Sequence, residues 1–451
     1  MDYRIEKDSL GEVRVPSNHK WGAQTQRSLQ NFKIGRSVMP LSVMYGLVEI
    51  KRAAAVVNHD LGKLSKEKKE IIVEVSDEIL SGKWEQEFPL NIYQTGSGTQ
   101  SNMNSNEVIA HLCADKGVDI HPNDDVNMSQ SSNDTFPTAM HIAARKELNP
   151  LIEEINEWIK VLNELEEKNQ GFIKIGRTHL QDATPLTFGQ EISGWKSMME
   201  KAKEFIESSA KSLDYLTIGG TAVGTGLNAP EGFDVAMAKE IATHTGLGFE
   251  TEPNKFYGLT SHSALSFTHG ALRALAGDLM KIANDIRWLA SGPRAGLGEI
   301  DIPENEPGSS IMPGKVNPTQ AEALTMVSCQ VMGNDTTIQI GSSQGNFELN
   351  VYKPVIISNF LESVILLRDG MNSFRIHCLE GIEANESAMT LGVERSLMLV
   401  TALSPHIGYE KCAEVAKLAH KESLSLEEAV LQLNYATKDE FKEWVVPENM
   451  V

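Results

Sequence analysis

The segment from Gly308 to Pro318 carries the residue types best suited to chemistry on a small acid. It reads Gly-Ser-Ser-Ile-Met-Pro-Gly-Lys-Val-Asn-Pro and follows a further proline. Because proline cannot continue a helix and glycine adopts backbone angles closed to other residues, the pattern predicts a loop between two helices. Its hydroxyls, its one lysine and its free backbone N–H groups could hold a carboxylate and stabilise a developing negative charge. The alternative is an exposed connector that is simply rich in turn residues.

A second polar segment surrounds Ser97. Residues 94–104 read Gln-Thr-Gly-Ser-Gly-Thr-Gln-Ser-Asn-Met-Asn, and we expect a helix to begin near Asn102. Hydroxyl and N–H groups just before a helix start form an anion site. Serine and glycine also cap helices for structural reasons, so the segment alone leaves both interpretations open.

His179 lies in a break between two helical patterns, at residues 176–182. Imidazole is the most frequent general acid or base, although a single histidine more often has a structural role. Residues 219–226 are rich in glycine but lack the lysine of a phosphate-binding loop and do not follow an apolar strand. We therefore expect backbone that passes closely between helices there, and no nucleotide site.

Several motifs carry a resemblance to a known family. The motif Gly-Ser-Ser-x-Met-Pro-x-Lys-x-Asn-Pro at 308–318 resembles the signature of the fumarase/aspartase superfamily. Gly314, Thr319-Gln320 and the stretch Gly345–Val351 are similar to class II fumarases, whereas aspartases typically have alanine at the position of Gly314. The likeness runs nearly from end to end of the chain.

The resemblance implies reversible hydration of fumarate to L-malate without a metal, redox cofactor or nucleotide. Removing a proton next to a carboxylate gives a dianionic aci-carboxylate, which cations and N–H donors must stabilise. By the resemblance Ser309 is the base, His179 the general acid for the departing water, and Glu322 the residue that holds or charges His179. A serine hydroxyl is a weak base, so its role requires a positive local field. The substrate contacts implied are Ser97, Thr99, Ser131, Ser132, Asn133, Thr178, Ser310, Lys315 and Asn317.

A turn near residue 121 resembles a second dicarboxylate site of fumarases. It consists of His121, Pro122, Asn123 and Asp124. A basic residue commonly precedes this turn in the family, whereas here Val118-Asp119 does. An Asx-Pro turn that ends the first domain is the structural alternative.

Long helices must position these segments. Apolar residues recur with a helical period before and after the His179 break and over 263–289, 319–340 and 353–373. After about residue 390 the pattern changes to short helices, with capping boxes at Ser425 and Thr437. The resemblance implies a mainly all-α fold of three domains, with a central long-helix bundle that assembles into a tetramer core and active sites shared between subunits. The predicted domains are 1–130, 131–388 and 389–451. Periodicity alone leaves open whether the apolar faces are only monomer core.

Composition limits the partners. A net charge of −20 argues against nucleic acid, and no apolar run is long enough to cross a bilayer. A dianionic substrate must therefore be attracted by local groups such as Lys315 and Arg177. The four cysteines form no CxxC pair, and the first residues resemble neither a secretory nor a transit peptide. These features predict a cytoplasmic protein.

Two other functions stay open at this point. An aspartate ammonia-lyase differs only in the leaving group of its substrate, and Gly314 and Thr319-Gln320 favour a fumarase over it. A non-catalytic structural protein on the same scaffold is disfavoured because all the implied catalytic residues are present.

Overall fold

Helices dominate the computed structural model, which describes residues 2–451. In chain order the helices are α1 (Ala23–Asn31), α2 (Leu41–Asp60), α3 (Lys66–Leu80), α4 (Thr99–Asp115), α5 (Ser132–Lys168), α6 (Phe188–Ala210), α7 (Phe233–Thr245), α8 (Lys255–Thr260), α9 (Ser263–Leu289), α10 (Thr319–Ser342), α11 (Lys353–His377), α12 (Glu386–Arg395), α13 (Ser404–Ile407), α14 (Tyr409–Glu422), α15 (Leu426–Gln432) and α16 (Lys438–Trp444). The prediction of a mainly all-α fold is confirmed.

The strands are short and pair two by two. They are β1 (Tyr3–Asp8), β2 (Gly11–Pro16), β3 (Ile173–Thr178), β4 (Gln181–Thr187), β5 (Tyr215–Leu216), β6 (Glu250–Thr251), β7 (Ile300–Asp301) and β8 (Glu383–Ala384). β1 pairs with β2, β3 with β4 and β7 with β8 in antiparallel fashion, while β5 and β6 are parallel. Two of these pairs, β1–β2 and β3–β4, are hairpins in stretches where the sequence pattern predicted no strand.

The long helices form where the apolar period predicted them. α9 has the predicted bounds, and its Leu265, Leu272, Leu279 and Ile286 are fully buried. Burial of such side chains contributes about 1.5–3 kcal/mol each, which is why a continuous apolar stripe specifies the helix. α10 and α11 begin at the predicted residues and extend two and four residues further, to Ser342 and His377.

The chain divides into two compact units. The first runs to Ile152 and continues over Ala202–Ala276 and Cys329–Arg368. The second comprises Glu153–Lys201, Gly277–Ser328 and Asp369–Val451. The three domains proposed from sequence, 1–130, 131–388 and 389–451, stay a prediction.

Within the second unit, the short C-terminal helices enclose a core of their own. Leu403, Val415 and Ala429 are buried in it, together with Ile175 of β3. The β3–β4 hairpin is therefore anchored on this core through an apolar side chain three residues before Thr178. Both predicted capping boxes, at Ser425 and Thr437, are present.

Candidate functional site

Three hydroxyls meet at the starts of two helices in the first unit. The Ser97 Oγ lies 2.8 Å from the Thr99 Oγ1, which lies 2.8 Å from the Ser132 Oγ. Thr99 is the first residue of α4 and Ser132 the first of α5, so both helix dipoles present their positive ends here. We call Ser97, Thr99 and Ser132 the hydroxyl cluster. Its geometry is that of an anion site built on helix N-termini.

Glycines permit this approach. Gly98 has φ +79°, and a Cβ there would overlap the ring of Phe136. A Cβ on Gly96 would overlap the carbonyl oxygen of Val351. The residues that flank Ser97 are therefore glycines because helix α5 and the segment before α11 touch the loop backbone directly.

Asp134 links the predicted substrate contacts at 131–133 to the glycine-rich loop at 219–226. Its buried carboxylate accepts hydrogen bonds from the backbone N–H groups of Ser131 (2.9 Å), Gly219 (3.0 Å) and Thr221 (2.8 Å). Burial raises the pKa of Asp134, while these N–H donors and Lys51 oppose the rise. The Asn133 side chain donates to the carbonyl oxygen of Ala222 at 2.8 Å. The segment 131–133 is thus fixed by its own backbone and by residues 219–222.

The glycine-rich stretch has the close packing expected of it. Gly219 has φ +93°, and a Cβ there would overlap Asp234 in the first turn of α7. A Cβ on Gly220 would lie 3.0 Å from the Cβ of Lys255. The loop therefore passes against helix starts.

Two buried lysines near Asp134 were not identified from sequence. The Lys51 ammonium donates to the Asn127 Oδ1 and the Gln130 Oε1, both at 2.9 Å. The Lys353 ammonium donates to the Asn133 carbonyl oxygen at 3.4 Å. Burial lowers the pKa of each lysine to about 7, and the Asp134 charge opposes this shift. A single sequence does not reveal which of many lysines is buried, although Lys353 lies two residues after the motif at Gly345–Val351.

In the second unit, Thr178 and His179 lie at the tip of the β3–β4 hairpin. Thr178 pairs with Gln181, so His179 and Leu180 form a two-residue turn with φ values of +57° and +58°. Positive φ at both turn residues matches the twist of the strands but is uncommon for residues other than glycine, asparagine or aspartate. The His179 side chain is exposed.

A buried ion cluster supports this hairpin. Glu299 binds the Arg177 guanidinium through both carboxylate oxygens, at 2.6 and 3.2 Å, and lies 3.2 Å from the Lys174 ammonium. Lys174 also pairs with Glu191 at 2.9 Å. Arg177, expected to be a local cation for substrate, therefore has its charge engaged by Glu299. Glu299 is a structural residue of the site that the sequence pattern did not identify.

The 308–318 loop closes on itself. The Gly308 N–H donates to the Lys315 carbonyl at 2.9 Å, and the Asn317 side-chain amide donates to the Gly308 carbonyl at 2.6 Å. A Cβ on Gly308 would overlap the Lys315 carbonyl oxygen, so this closure requires glycine. The Lys315 ammonium donates to the Asn317 side-chain oxygen.

Ser309 receives two backbone donors inside the loop. Its Oγ accepts from the N–H groups of Met312 at 3.0 Å and Ile311 at 3.3 Å. Donors aimed at a hydroxyl oxygen favour its deprotonated form. Ser310 is exposed beside it. The predicted loop between helices is present, but these N–H groups are directed at the Ser309 oxygen and are not free.

Lys315, Asn317 and Glu322 line one cavity of about 730 Å³. Glu322 lies in the first turn of α10, and Arg287 and Trp288 of α9 lie on the cavity wall. No hydrogen bond or ion pair joins His179 to Glu322 in the part of the chain that the structure describes. Their proposed pairing stays a prediction.

The turn at 121–124 is held by local bonds. The His121 Nδ1 accepts from the Asp124 N–H at 3.0 Å, and Asp125 accepts from the His121 N–H at 2.9 Å. Lys68 pairs with Asp125 at 2.6 Å. These contacts give His121 a capping role at the start of a short π-helical turn, Pro122–Val126, and the second dicarboxylate site stays a prediction.

Across residues 2–451, no group of three or more His, Cys, Asp or Glu side chains is arranged to hold a metal ion. Nor does any helix within those residues have the length and apolar character to span a membrane.

The sequence matches lyase family models over most of its length. Residues 11–333 match the family model described as lyase, and residues 399–451 match the one described as fumarase C C-terminus. The class II fumarate hydratase of Bacillus subtilis (strain 168) is 58% identical over 464 residues, which cover 100% of this chain and 99% of the relative. That of Listeria monocytogenes is 59% identical over 451 residues, covering 99% of each. The crystal structure of a class II fumarase from Schistosoma mansoni superimposes with a TM-score of 0.98 at 42% identity, covering 100% of this chain and 99% of the other. The chain belongs to the class II fumarate hydratase family.

Proposed function

We infer that the chain catalyses the reversible hydration of fumarate to L-malate. Full-length similarity to class II fumarate hydratases supports this function. The observation that carries it is the 308–318 loop, in which a serine oxygen accepts two N–H groups a few residues from a lysine. That arrangement supplies both a proton acceptor and charge stabilisation for a carbanion next to a carboxylate.

The proposed reaction uses these groups in two half-steps. In the malate direction Ser309 removes the carbon-bound proton, and the electron pair moves into the adjacent carboxylate to give a dianionic aci-carboxylate. Lys315, Asn317 and backbone N–H groups of the loop stabilise that dianion. His179, assisted by Glu322, then donates a proton to the hydroxyl that leaves as water, and fumarate is formed.

The remaining predicted residues hold the substrate in this proposal. The hydroxyl cluster, with Ser131 and Asn133, binds one carboxylate at the positive ends of α4 and α5. Thr178 and Ser310 complete the contacts. His121, Pro122, Asn123 and Asp124 are proposed as the second dicarboxylate site, which is outside the reaction.

We propose that the active form is a homotetramer whose sites are shared between subunits. Large apolar side chains on the long helices support self-association, because Phe267 and Trp288 of α9 and Met326 of α10 are all more than half exposed in the single chain. A cytoplasmic location is proposed on the basis of four free cysteines, three of which are buried.

The ultraviolet absorbance of fumarate tests the reaction. Purified protein should raise the absorbance with L-malate and leave it unchanged with L-aspartate, before and after dialysis against a chelator. Ser309→Ala should lower kcat by about 100- to 10,000-fold, the usual contribution of a positioned base. Formation of fumarate from aspartate, or loss of turnover on chelation, would contradict the proposal.

Hybrid tetramers test the shared sites. His179→Asn and Ser309→Ala subunits, each strongly impaired alone, should recover part of the wild-type activity when they are unfolded and refolded together. Refolded mixtures of wild type with each variant provide the control for refolding yield. Hybrids that assemble as tetramers but stay inactive would show that each site is built from one subunit.

A further inference from the structure

Lys353 connects the two substrate-binding segments of the first unit. Its backbone N–H donates to the carbonyl oxygen of Gly96 at 3.2 Å, directly before Ser97. Its ammonium reaches the other segment and donates to the carbonyl oxygen of Asn133 at 3.4 Å. Lys353 is the first residue of α11, so one residue at a helix start fixes the spacing between both sides of the hydroxyl cluster.

The Lys353 ammonium is poorly satisfied where it lies. The residue has no exposed surface, and the long bond to Asn133 is the one hydrogen bond that its Nζ makes to the described residues. An ammonium has three N–H donors, and burying a charge without partners is costly. Lys51, equally buried and also near Asp134, instead has two acceptors at 2.9 Å. The two lysines therefore share burial and differ in how well their charge is compensated.

A second buried polar group near Lys353, the His262 side chain, also lacks a hydrogen-bond partner. His262 is buried, and its Nε2 has no hydrogen-bond partner among the residues that the structure describes. Burial, and next the Lys353 charge, lower the pKa of His262 well below its ordinary value, so this histidine is neutral near pH 7. Asp134 is the facing carboxylate, with Lys51 acting on it from α2, and His141 acts on His262. Buried polar groups normally find partners, so the Lys353 donors that the described residues leave unused are available to an anion bound beside them.

We propose that Lys353 is a positioning residue for the hydroxyl cluster and supplies the buried positive charge against which that cluster binds a substrate carboxylate. The inference rests on the proposed function and explains how a chain of net charge −20 attracts a dianion locally. Lys353 acts through the Asn133 backbone and the Gly96 carbonyl. Binding of a dicarboxylate thereby favours the protonated form of Lys353.

This coupling predicts a proton taken up on binding. Burial lowers the pKa of Lys353 to about 7 in the free protein, so a substantial fraction is neutral at neutral pH. A bound dianion raises that pKa, because an opposite charge favours the charged form. Affinity is then highest below pH 7 and falls as the pH rises through the free-protein pKa, and KM for fumarate rises over the same interval. Fumarate is fully ionised in this range and does not contribute to the change.

Calorimetry with succinate, a saturated dicarboxylate that cannot react, measures the proton directly. Titrations at pH 7.5 in phosphate and in Tris, whose ionisation enthalpies differ, should show net proton uptake by the wild-type tetramer. Lys353→Met, of similar length and without charge, should take up none. We expect its KM for fumarate at pH 6.5 to rise about 10- to 100-fold, the effect of losing a hydrogen bond to a charged group. Its kcat should stay within a few-fold of wild type, and its KM should no longer change between pH 6.5 and 8.5.

Lys51→Met is the matched control. Like Lys353, Lys51 is buried and its pKa is lowered to about 7, but its ammonium already donates to two side-chain amides. The Lys51→Met variant should keep both the proton uptake and the pH dependence of KM. An unchanged KM profile in a folded Lys353→Met tetramer, or wild-type binding without proton uptake, would overturn the inference. If Lys353→Met does not assemble, Lys353→Gln and the wild-type calorimetry decide. Succinate binding with proton uptake by a protein that does not hydrate fumarate would instead refute the proposed function and leave the role of Lys353 intact.

Discussion

A serine hydroxyl can remove a carbon-bound proton only where its oxyanion is stabilised. Ser309 meets part of this requirement through the N–H groups of Ile311 and Met312, which converge on its oxygen. Lys315 adds a positive charge within the same closed loop, and Asn317 fixes the ammonium. Glycine at 308 allows the loop to close tightly enough to bring these groups together. In the proposed mechanism, the local backbone therefore stabilises the Ser309 oxyanion, whereas a separate base activates the nucleophile in enzymes with a serine–histidine pair.

Lys315→Met separates the catalytic role of this charge from any structural one. The Lys315 side chain is exposed, so its loss should change the free energy of unfolding by no more than about 0.5 kcal/mol. Because the proposed mechanism uses this charge to stabilise the aci-carboxylate, kcat should fall about 100- to 1000-fold. Urea unfolding measures the change in stability, and stopped assays of malate dehydration measure the change in kcat. Lys417→Met, at an exposed position on α14, is the control and should alter neither; a Lys315→Met enzyme with full turnover would remove Lys315 from the mechanism.

At the scale of elements, the helices could be predicted and the hairpins could not. α9 was predicted residue for residue because its buried leucines repeat with the helical period. β1 shows no such signal, because four of its six side chains are charged and none of its positions is fully buried. β3 buries Lys174 and has an irregular register next to Gly176, so its alternation does not resemble that of a half-buried strand.

The candidate site divides in the same way. The 308–318 loop and the segment around Ser97 were predictable because glycine, proline and hydroxyl residues mark turns and anion sites directly. Lys353 and Glu299 were not, because their roles depend on burial and on partners distant in the chain. Charged residues are mostly exposed, so sequence alone predicts an exposed position for every one of them. Tertiary packing alone distinguishes a buried charge that supports a site from one in solvent.

The β3–β4 hairpin provides a test of such a buried charge. Glu299 is 2% exposed and binds Arg177 while lying 3.2 Å from Lys174, which is also 2% exposed. Glu299→Gln would leave Arg177 without this carboxylate partner and Lys174 with Glu191 alone, and removing one partner of a buried ion pair costs about 3–5 kcal/mol. Urea unfolding should show a loss of this order. Glu383→Gln removes the partner of Lys168 in an exposed pair, and its cost should not exceed about 1 kcal/mol. Equal effects of the two substitutions would mean that the Glu299 cluster does not hold the hairpin.

At the scale of the whole molecule, the excess of carboxylates gives the pH dependence of stability its direction. The chain has 61 acidic and 41 basic residues, so the pH dependence of its stability is set chiefly by the carboxylates that are paired in the folded state. The pKa of Glu6 on β1 is lowered to about 2, chiefly by its hydrogen bond to His111 and also by Arg4. A carboxyl group whose pKa is lowered on folding contributes stability above its ordinary pKa and loses it as the pH falls towards the folded value. The Glu6 contribution is therefore complete above about pH 4.5 and disappears near pH 2.

Glu6→Gln should consequently destabilise the protein in a defined pH interval. Burial lowers the pKa of His111, but the hydrogen bond to Glu6 and the Glu6 charge together outweigh this effect and raise the pKa above its ordinary value of 6.5. The Glu6–His111 ion pair is therefore complete below pH 6.5. It weakens at higher pH as His111 loses its proton. The difference in unfolding free energy from wild type should be largest near pH 5.5, at up to about 1 kcal/mol for a partly exposed pair, and smaller at pH 2.5 and pH 8.5. Urea unfolding at these three pH values measures it. Glu12→Gln, at an exposed position on β2 of the same hairpin, should show no such maximum. A Glu6→Gln difference that is constant over the three pH values would mean that packing of the side chain, and not its charge, joins β1 to α4.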